Sequence, residues 1–347
     1  VHTPLSHALP TFFDGLAFIA LIGALIGWLW LLPAAEGQGR VALAQQGRRQ
    51  LSVLLGWALL VLTLNTFLLL VVRTLEMSHQ PLAALGATLP VVIGKTHFGA
   101  VWLVRLAAVG ILLGTYAFFW LKPGRAAAGF MLAAALVLAW THSASGHAAA
   151  QGDFTLGQWL DWLHVIAGAA WGGVVVAAVS GLRLLYLSGE EIDPGLAAEV
   201  GERISRLAGV ALALVLASGL YTTYVRLGAV SDLWTTLYGQ FLSAKLALVA
   251  LLVAIGASNR YFVLPALRRI GGTTLTPEKG LGRLLARYWP ERNADPRALP
   301  ARFWRRIAAE VAPFIAVIAC VALLSHTPPP ARPSIVDDVA PAGTPHR

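Results

Sequence analysis

Eight stretches of this 347-residue chain are apolar for about the length of a membrane-crossing helix, and this feature excludes most folds. A helix rises about 1.5 Å per residue, so roughly 20 apolar residues cover a hydrocarbon core about 30 Å thick. The stretches fall near 12–33, 51–75, 98–121, 126–142, 158–182, 204–227, 239–264 and 306–326. In lipid a backbone must satisfy its own hydrogen bonds, so it crosses as helices or as a closed barrel. Continuous apolar runs of this length specify helices. The expected fold is all-α and polytopic, with eight transmembrane helices over residues 1–327. A Pro-rich tail over 328–347 is expected to be disordered. The first run exceeds the apolar core of a signal peptide, about 7–15 residues, and is read as a true span. The segment from Pro81 to Gly94 is apolar but too short to cross, and reads as a short helix at the interface.

Composition agrees with a lipid environment. The chain is 57% hydrophobic and 12% charged, with a mean hydropathy of +0.69. Soluble domains carry about 25% charged residues. The net charge of +9 and pI near 10.2 would suit nucleic acid, but the placement of the charge argues against that partner. One set of connections holds Arg40, Arg48, Arg49, Lys122, Arg125, Arg183, Arg203, Arg206 and the basic run from Arg260 to Arg306. The opposite set holds only Arg73, Lys95, Arg226, Arg332 and Arg347. Positive charge collects on the cytoplasmic side, so both termini are expected outside, and the basic loop before the last span is expected to touch anionic lipid.

A weak internal repeat emerges when spans one to four are laid over five to eight. Asp14-Gly-Leu-Ala-Phe-Ile resembles Asp161-Trp-Leu-His-Val-Ile, and Arg73 and Arg226 both end outward spans. Gly99 precedes Arg105-Leu-Ala as Gly239 precedes Lys245-Leu-Ala, and Thr141-His142 matches Ser325-His326. Halves of four spans share one orientation, which implies a 4+4 parallel repeat about an axis along the membrane normal.

The candidate chemistry is carried by histidine. His2, His7, His79, His97, His142, His147, His164, His326 and His346 all fall in outer segments or at outer span ends. Neutral imidazole suits copper, zinc and iron, and the thioether of Met77 favours Cu(I). His142 and His147 can serve one ion only if their helix ends between Ser143 and Gly146. Asp161 and His164 share a helix face. Imidazoles on facing spans can also ligate haem b, which keeps an electron carrier open as the alternative. Within the spans, Arg105 and Lys245 are expected to snorkel outward, Glu310 to be interfacial, and Asn65 to be the polar side chain nearest mid-membrane in span two. Gly168 and Gly172 have the G-x-x-x-G spacing of close helix contact. Cys320 is the one cysteine, so neither an internal disulfide nor a cysteine metal cluster is available. No nucleophile–base or carboxylate pair suggests an enzyme. The inner half offers no His or Cys ladder, so an outer binding site is better supported than a complete conduction path.

Several of these segments together resemble the copper resistance protein D (CopD) family. They are Ser145-Gly-His147, Asp161-Trp-Leu-His164-Val-Ile-Ala, Trp171-Gly-Gly173, Arg203-Ile-Ser-Arg-Leu-Ala208, Ser218-Gly219, Tyr238-Gly239, Lys245-Leu-Ala-Leu, Asn259-Arg260, and Glu310 with Leu323-Leu-Ser-His-Thr-Pro-Pro329. The likeness runs over 145–329. It implies a multi-pass protein of a bacterial inner membrane, with both termini periplasmic, that imports copper or confers copper tolerance. It also implies a separate periplasmic copper-binding partner of the CopC type. His147 and His164 are the positions it carries over most directly. A copper-delivery factor for an oxidase is a further alternative. The scarcity of Met departs from what a Cu(I) conduit would show.

Overall fold

The computed structural model describes residues 4–32, 38–145, 152–182, 194–271, 295 and 298–330. Eight helices among them are long and apolar enough to cross a membrane, and no strand occurs among the described residues.

The helices are α1 (Pro4–Ile26), α2 (Gln38–Ser78), α3 (Leu85–Lys95), α4 (His97–Leu121), α5 (Arg125–Ala144), α6 (Leu156–Gly181), α7 (Pro194–Arg226), α8 (Asp232–Thr235), α9 (Leu237–Ser258), α10 (Leu264–Ile270) and α11 (Leu299–Ser325). A π-helical turn, Gly27–Leu31, extends α1, and another, Asn259–Val263, joins α9 to α10. The short α3 covers most of the apolar segment from Pro81 to Gly94, too short to cross. α2 starts well before the apolar run it contains, carrying Arg40, Arg48 and Arg49 on a continuous helix. Hydropathy marks only the lipid-soaked part of a helix, whereas backbone hydrogen bonding continues past the interface.

α1 and α6 form the centre. α1 packs on α2, α6 and α11, and α6 packs on α7, α5 and α11. The most apolar window of α1 is 61% buried and that of α9 only 11%, which places α9 at the periphery. Outward faces carry Trp57, Leu64, Leu220 and Tyr224, as lipid contact requires. The central contact is made by glycine: a methyl on Gly173 would stand 2.7 Å from the backbone nitrogen of Gly23. The expected G-x-x-x-G pair does not make this approach. Gly168 faces open space, and Gly172 has only side chains of Ile19 and Phe314 nearby.

The same neighbours recur in both halves. α1 lies on α2 as α6 lies on α7, and α4 on α5 as α9 on α11. Thr96 caps α4, accepting from Gly99 N at 3.0 Å and donating to Val92 O at 2.6 Å. Thr236 caps α9 identically, accepting from Gly239 N at 3.0 Å and donating to Asp232 O at 2.8 Å. Antiparallel succession of the helices gathers the described histidines at one end of the bundle and most arginines at the other.

Candidate functional site

At the histidine end two polar clusters lie within the bundle, one in each half. The first is built on Asp14 of α1, 3% exposed. Its Oδ1 accepts from Arg105 Nη2 at 2.5 Å and from Asn65 Nδ2 at 2.9 Å. Asn65 gives its other amide proton to Pro10 O, also at 2.9 Å. Arg105 Nε donates to Thr66 Oγ1 at 3.0 Å, and Thr66 passes its own proton to Leu62 O. Trp102 Nε1 donates to Thr66 O. Side chains of α2 and α4 thus converge on one carboxylate of α1. A buried charge is tolerable only when paired and hydrogen-bonded in this way.

His142 completes this cluster. Its Nδ1 stands 3.3 Å from Asp14 Oδ2. A carboxylate only accepts, so a proton on Nδ1 suits this ion-pair contact and leaves the lone pair on Nε2. That Nε2 is buried and has no hydrogen-bond partner among the described residues. The ring lies against Phe18, with centroids 5.0 Å apart.

The second cluster surrounds His164 on α6. Its Nδ1 is 3.0 Å from Ser218 Oγ on α7, and Ser218 lies 2.6 Å from Leu214 O. The serine has one proton and gives it to the carbonyl, so the ring donates Nδ1–H to the serine. His164 Nε2 is again the lone-pair nitrogen. Its electrostatic neighbours are the cations Lys245 and Arg226. Lys245 in turn feels Asp161, Arg226 and Cys320, and Arg226 stands 3.8 Å from Asp161 Oδ1. Gly219 leaves room for the imidazole, since a methyl there would meet its Cε1 at 3.2 Å.

The other sequence candidates have separate partners. His97 Nε2 is 2.8 Å from Asp153 Oδ2, which ties the start of α4 to the turn before α6. His326 Nε2 is 3.1 Å from Thr11 Oγ1. Met77 is exposed at the end of α2, and His79 is exposed just beyond it with φ +50°. α5 ends at Ala144, inside the window required for His142 and His147 to cooperate, but His147 lies outside the described residues. Among the described residues no group of three or more His, Cys, Asp or Glu side chains stands close enough to hold a metal ion.

One expectation is corrected. Arg105 does not snorkel: it is 6% exposed and turned inward, because Asp14 offers it a buried counter-charge. Glu310, expected near the interface, is 6% exposed and accepts from Asn259 Nδ2 at 3.1 Å. Asp14, Thr66 and Ser218 were not among the sequence candidates. Asp14 had a usable signal as the one carboxylate in the first apolar run, where a charge is expensive and needs a reason.

Comparison with known proteins covers both halves. Residues 8–158 match the family model for the copper resistance protein D-like N-terminal domain, and residues 198–324 that for copper resistance protein D. The copper transport protein CutJ of Bacillus subtilis (strain 168) is 28% identical over 232 residues, 62% of this chain and 40% of CutJ. The copper resistance protein D of Pseudomonas syringae pv. tomato is 26% identical over 259 residues, 72% of this chain and 79% of that protein. The chain therefore aligns with less than half the length of CutJ. No solved structure matches. With eight spans, and a matching family model in each half, this membrane protein belongs to the copper resistance protein D family.

Proposed function

We propose that the chain handles copper at its histidine end, taking the ion from the periplasm of a bacterium through the inner membrane or conferring copper tolerance. The observation that carries this reading is the hydrogen bond between His164 Nδ1 and Ser218 Oγ. With Nδ1–H spent on Ser218, the ring keeps an Nε2 lone pair for a metal, and an oriented second nitrogen is how ligating histidines are usually held. The names of the two relatives support copper as the cargo. His147 enters from the sequence resemblance, His142 offers a second oriented imidazole, and His97, His79, His326 and Met77 lie at the same end. The concentration of Arg at the opposite end supports an orientation with both termini periplasmic. A soluble CopC-type protein is the proposed donor or acceptor of the ion. The chain is read as a transporter or metal-binding protein rather than an enzyme. Its halves are read as a 4+4 parallel repeat, on the strength of the matched Thr96 and Thr236 caps.

The test uses purified full-length chain, titrated with Cu(I) under reducing anaerobic conditions and separately with Cu(II), with bound metal measured by mass spectrometry. Stoichiometric copper that is lost in His164→Ala supports the proposal. A chain that binds none, in cells whose copper content is unchanged by His164→Ala or His147→Ala, contradicts it. A visible spectrum of the same sample reads out haem b directly.

A further inference from the structure

The arginine end of the bundle holds a crevice of about 550 Å³ between the end of α1 and the starts of α2, α5 and α7. Its lining has too many donors. Trp28 is 8% exposed, and its indole Nε1 is buried without an acceptor among the described residues. The Arg48 guanidinium lies over the same indole, 5.3 Å from the ring centroid, and its Nε is likewise buried without an acceptor among the described residues. Tryptophan and arginine side chains donate only, so no rearrangement between the two can satisfy either. The pair needs an acceptor from elsewhere, and because neither atom opens onto the crevice as it stands, a ligand there reaches them with a small shift of the two side chains.

The carboxylates of the crevice are already engaged. Glu199 is held by Arg203 at 2.5 Å, and Glu202 by Arg268 at 3.3 Å and Arg206 at 3.6 Å. Arg203 also donates to Trp30 O at 2.9 Å. Arg48 and Arg125 line the crevice with no carboxylate partner among the described residues. The surplus is positive, and both unmet groups are N–H donors. A metal cation is therefore the wrong ligand, and an oxyanion the right one. Phosphate oxygens match arginine in charge and in geometry. The crevice sits where the apolar helices end, the level at which lipid headgroups lie, and basic pockets between helices at that level suit anionic headgroups.

We propose that this crevice is a binding site for a phosphate-bearing anion, held between Arg48, Trp28 and Arg125, on the opposite side of the bundle from the histidines. It is independent of the copper reading.

The experiment is thermal unfolding of delipidated full-length protein in a neutral detergent. Phosphatidylglycerol, phosphatidylcholine or inorganic phosphate is added at constant ionic strength. Phosphatidylglycerol is expected to raise the melting temperature saturably, with phosphatidylcholine inert. Trp28→Phe keeps the ring and removes only the N–H. It and Arg48→Gln are each expected to raise the half-saturating concentration about tenfold, the equivalent of one charge-assisted hydrogen bond. Arg49→Gln, on the exposed neighbour, is expected to leave it unchanged. A response to inorganic phosphate equal to that of the lipid keeps the site and assigns it a soluble phosphate compound. Equal responses to phosphatidylglycerol and phosphatidylcholine with none to phosphate, or identical titrations in wild type and variants, overturn the proposal.

Discussion

Asp14 and Arg105, ninety-one positions apart, meet inside the bundle through a charge-assisted hydrogen bond of 2.5 Å, with each side chain less than a tenth exposed. Asn65 and His142 reach the same carboxylate from two further helices. This joins α1, α2, α4 and α5 at one point. Arg105→Ala leaves a buried carboxylate without its cation and is expected to cost about 3–5 kcal/mol of stability. Asp14→Asn/Arg105→Gln removes both charges and should recover part of that loss, with a coupling of about 0.5–3 kcal/mol. Thermal unfolding of the single and double variants in one detergent measures the cycle. Strict additivity would show that the contact carries no energy.

Ser218 touches no candidate ligand position other than the His164 ring, yet it sets which nitrogen of that ring is free. Ser218→Ala removes the side-chain acceptor for Nδ1–H, leaves only the Val215 backbone acting on the ring, and loosens the tautomer. Partners of this kind change metal affinity about 10–100-fold when removed. Ser218→Ala is therefore expected to weaken copper binding by that factor while His164 stays in place. Competition against a chromogenic Cu(I) chelator gives the number. An unchanged affinity would mean that His164 does not ligate.

The fold was largely legible, because lipid imposes a length rule that sequence obeys openly: each of the eight apolar runs overlaps one of the eight long apolar helical spans. The hidden part was the inward-facing chemistry. Hydropathy says that Arg105 is costly in a span, but it does not say whether the side chain escapes to water or finds a carboxylate on another helix. That choice depends on rotation about the helix axis and on the arrival of Asp14, neither of which is written locally. His142 and His164 are only 22 positions apart in the sequence. In the fold they are held by different halves, His142 by Asp14 of α1 and His164 by Ser218 of α7. Histidine spacing along the chain carries no information about that division. Ser218 entered only within the Ser218-Gly219 pair of the family resemblance, with no role attached, since a serine in a span is ordinary until its neighbour is known.

The surroundings of His164 lead to a prediction about charge. Lys245 and Arg226 act on the ring, with Asp161 as the nearby carboxylate. A cation arriving at Nε2 meets repulsion that grows with its own charge, so Cu(I) is favoured over Cu(II) there. Lys245→Met removes the amine, with the charge it carries when protonated, and keeps most of the volume. At a screened separation such a charge is worth about 1 kcal/mol, so copper affinity should rise roughly fivefold. The rise should be larger for Cu(II) than for Cu(I). Parallel titrations with both ions read this out, and weaker binding in Lys245→Met would reverse the sign of the argument by making the lysine a support of the site.

The central contact predicts which glycines matter. Gly23 and Gly173 face each other backbone to backbone where α1 crosses α6, and a methyl on Gly173 would sit 2.7 Å from Gly23 N. Backbone on both sides cannot move away as a side-chain tip would. Gly173→Ala must therefore push apart the two helices that hold the two halves together. The expected cost is about 1–3 kcal/mol, the usual penalty for overpacking. Because α1 also carries Asp14 and α6 carries His164, the same displacement should loosen both polar clusters. Gly168→Ala, five residues away on the same helix, meets nothing within 4 Å. There the helix gains an alanine in place of a glycine, which is neutral or stabilising by about 0.5–1 kcal/mol. Unfolding temperatures of the two variants, measured side by side, should fall for Gly173→Ala and hold or rise for Gly168→Ala. If both fell equally, the crossing would have to be moved from Gly173 to the Gly168–Gly172 spacing that the sequence alone suggests.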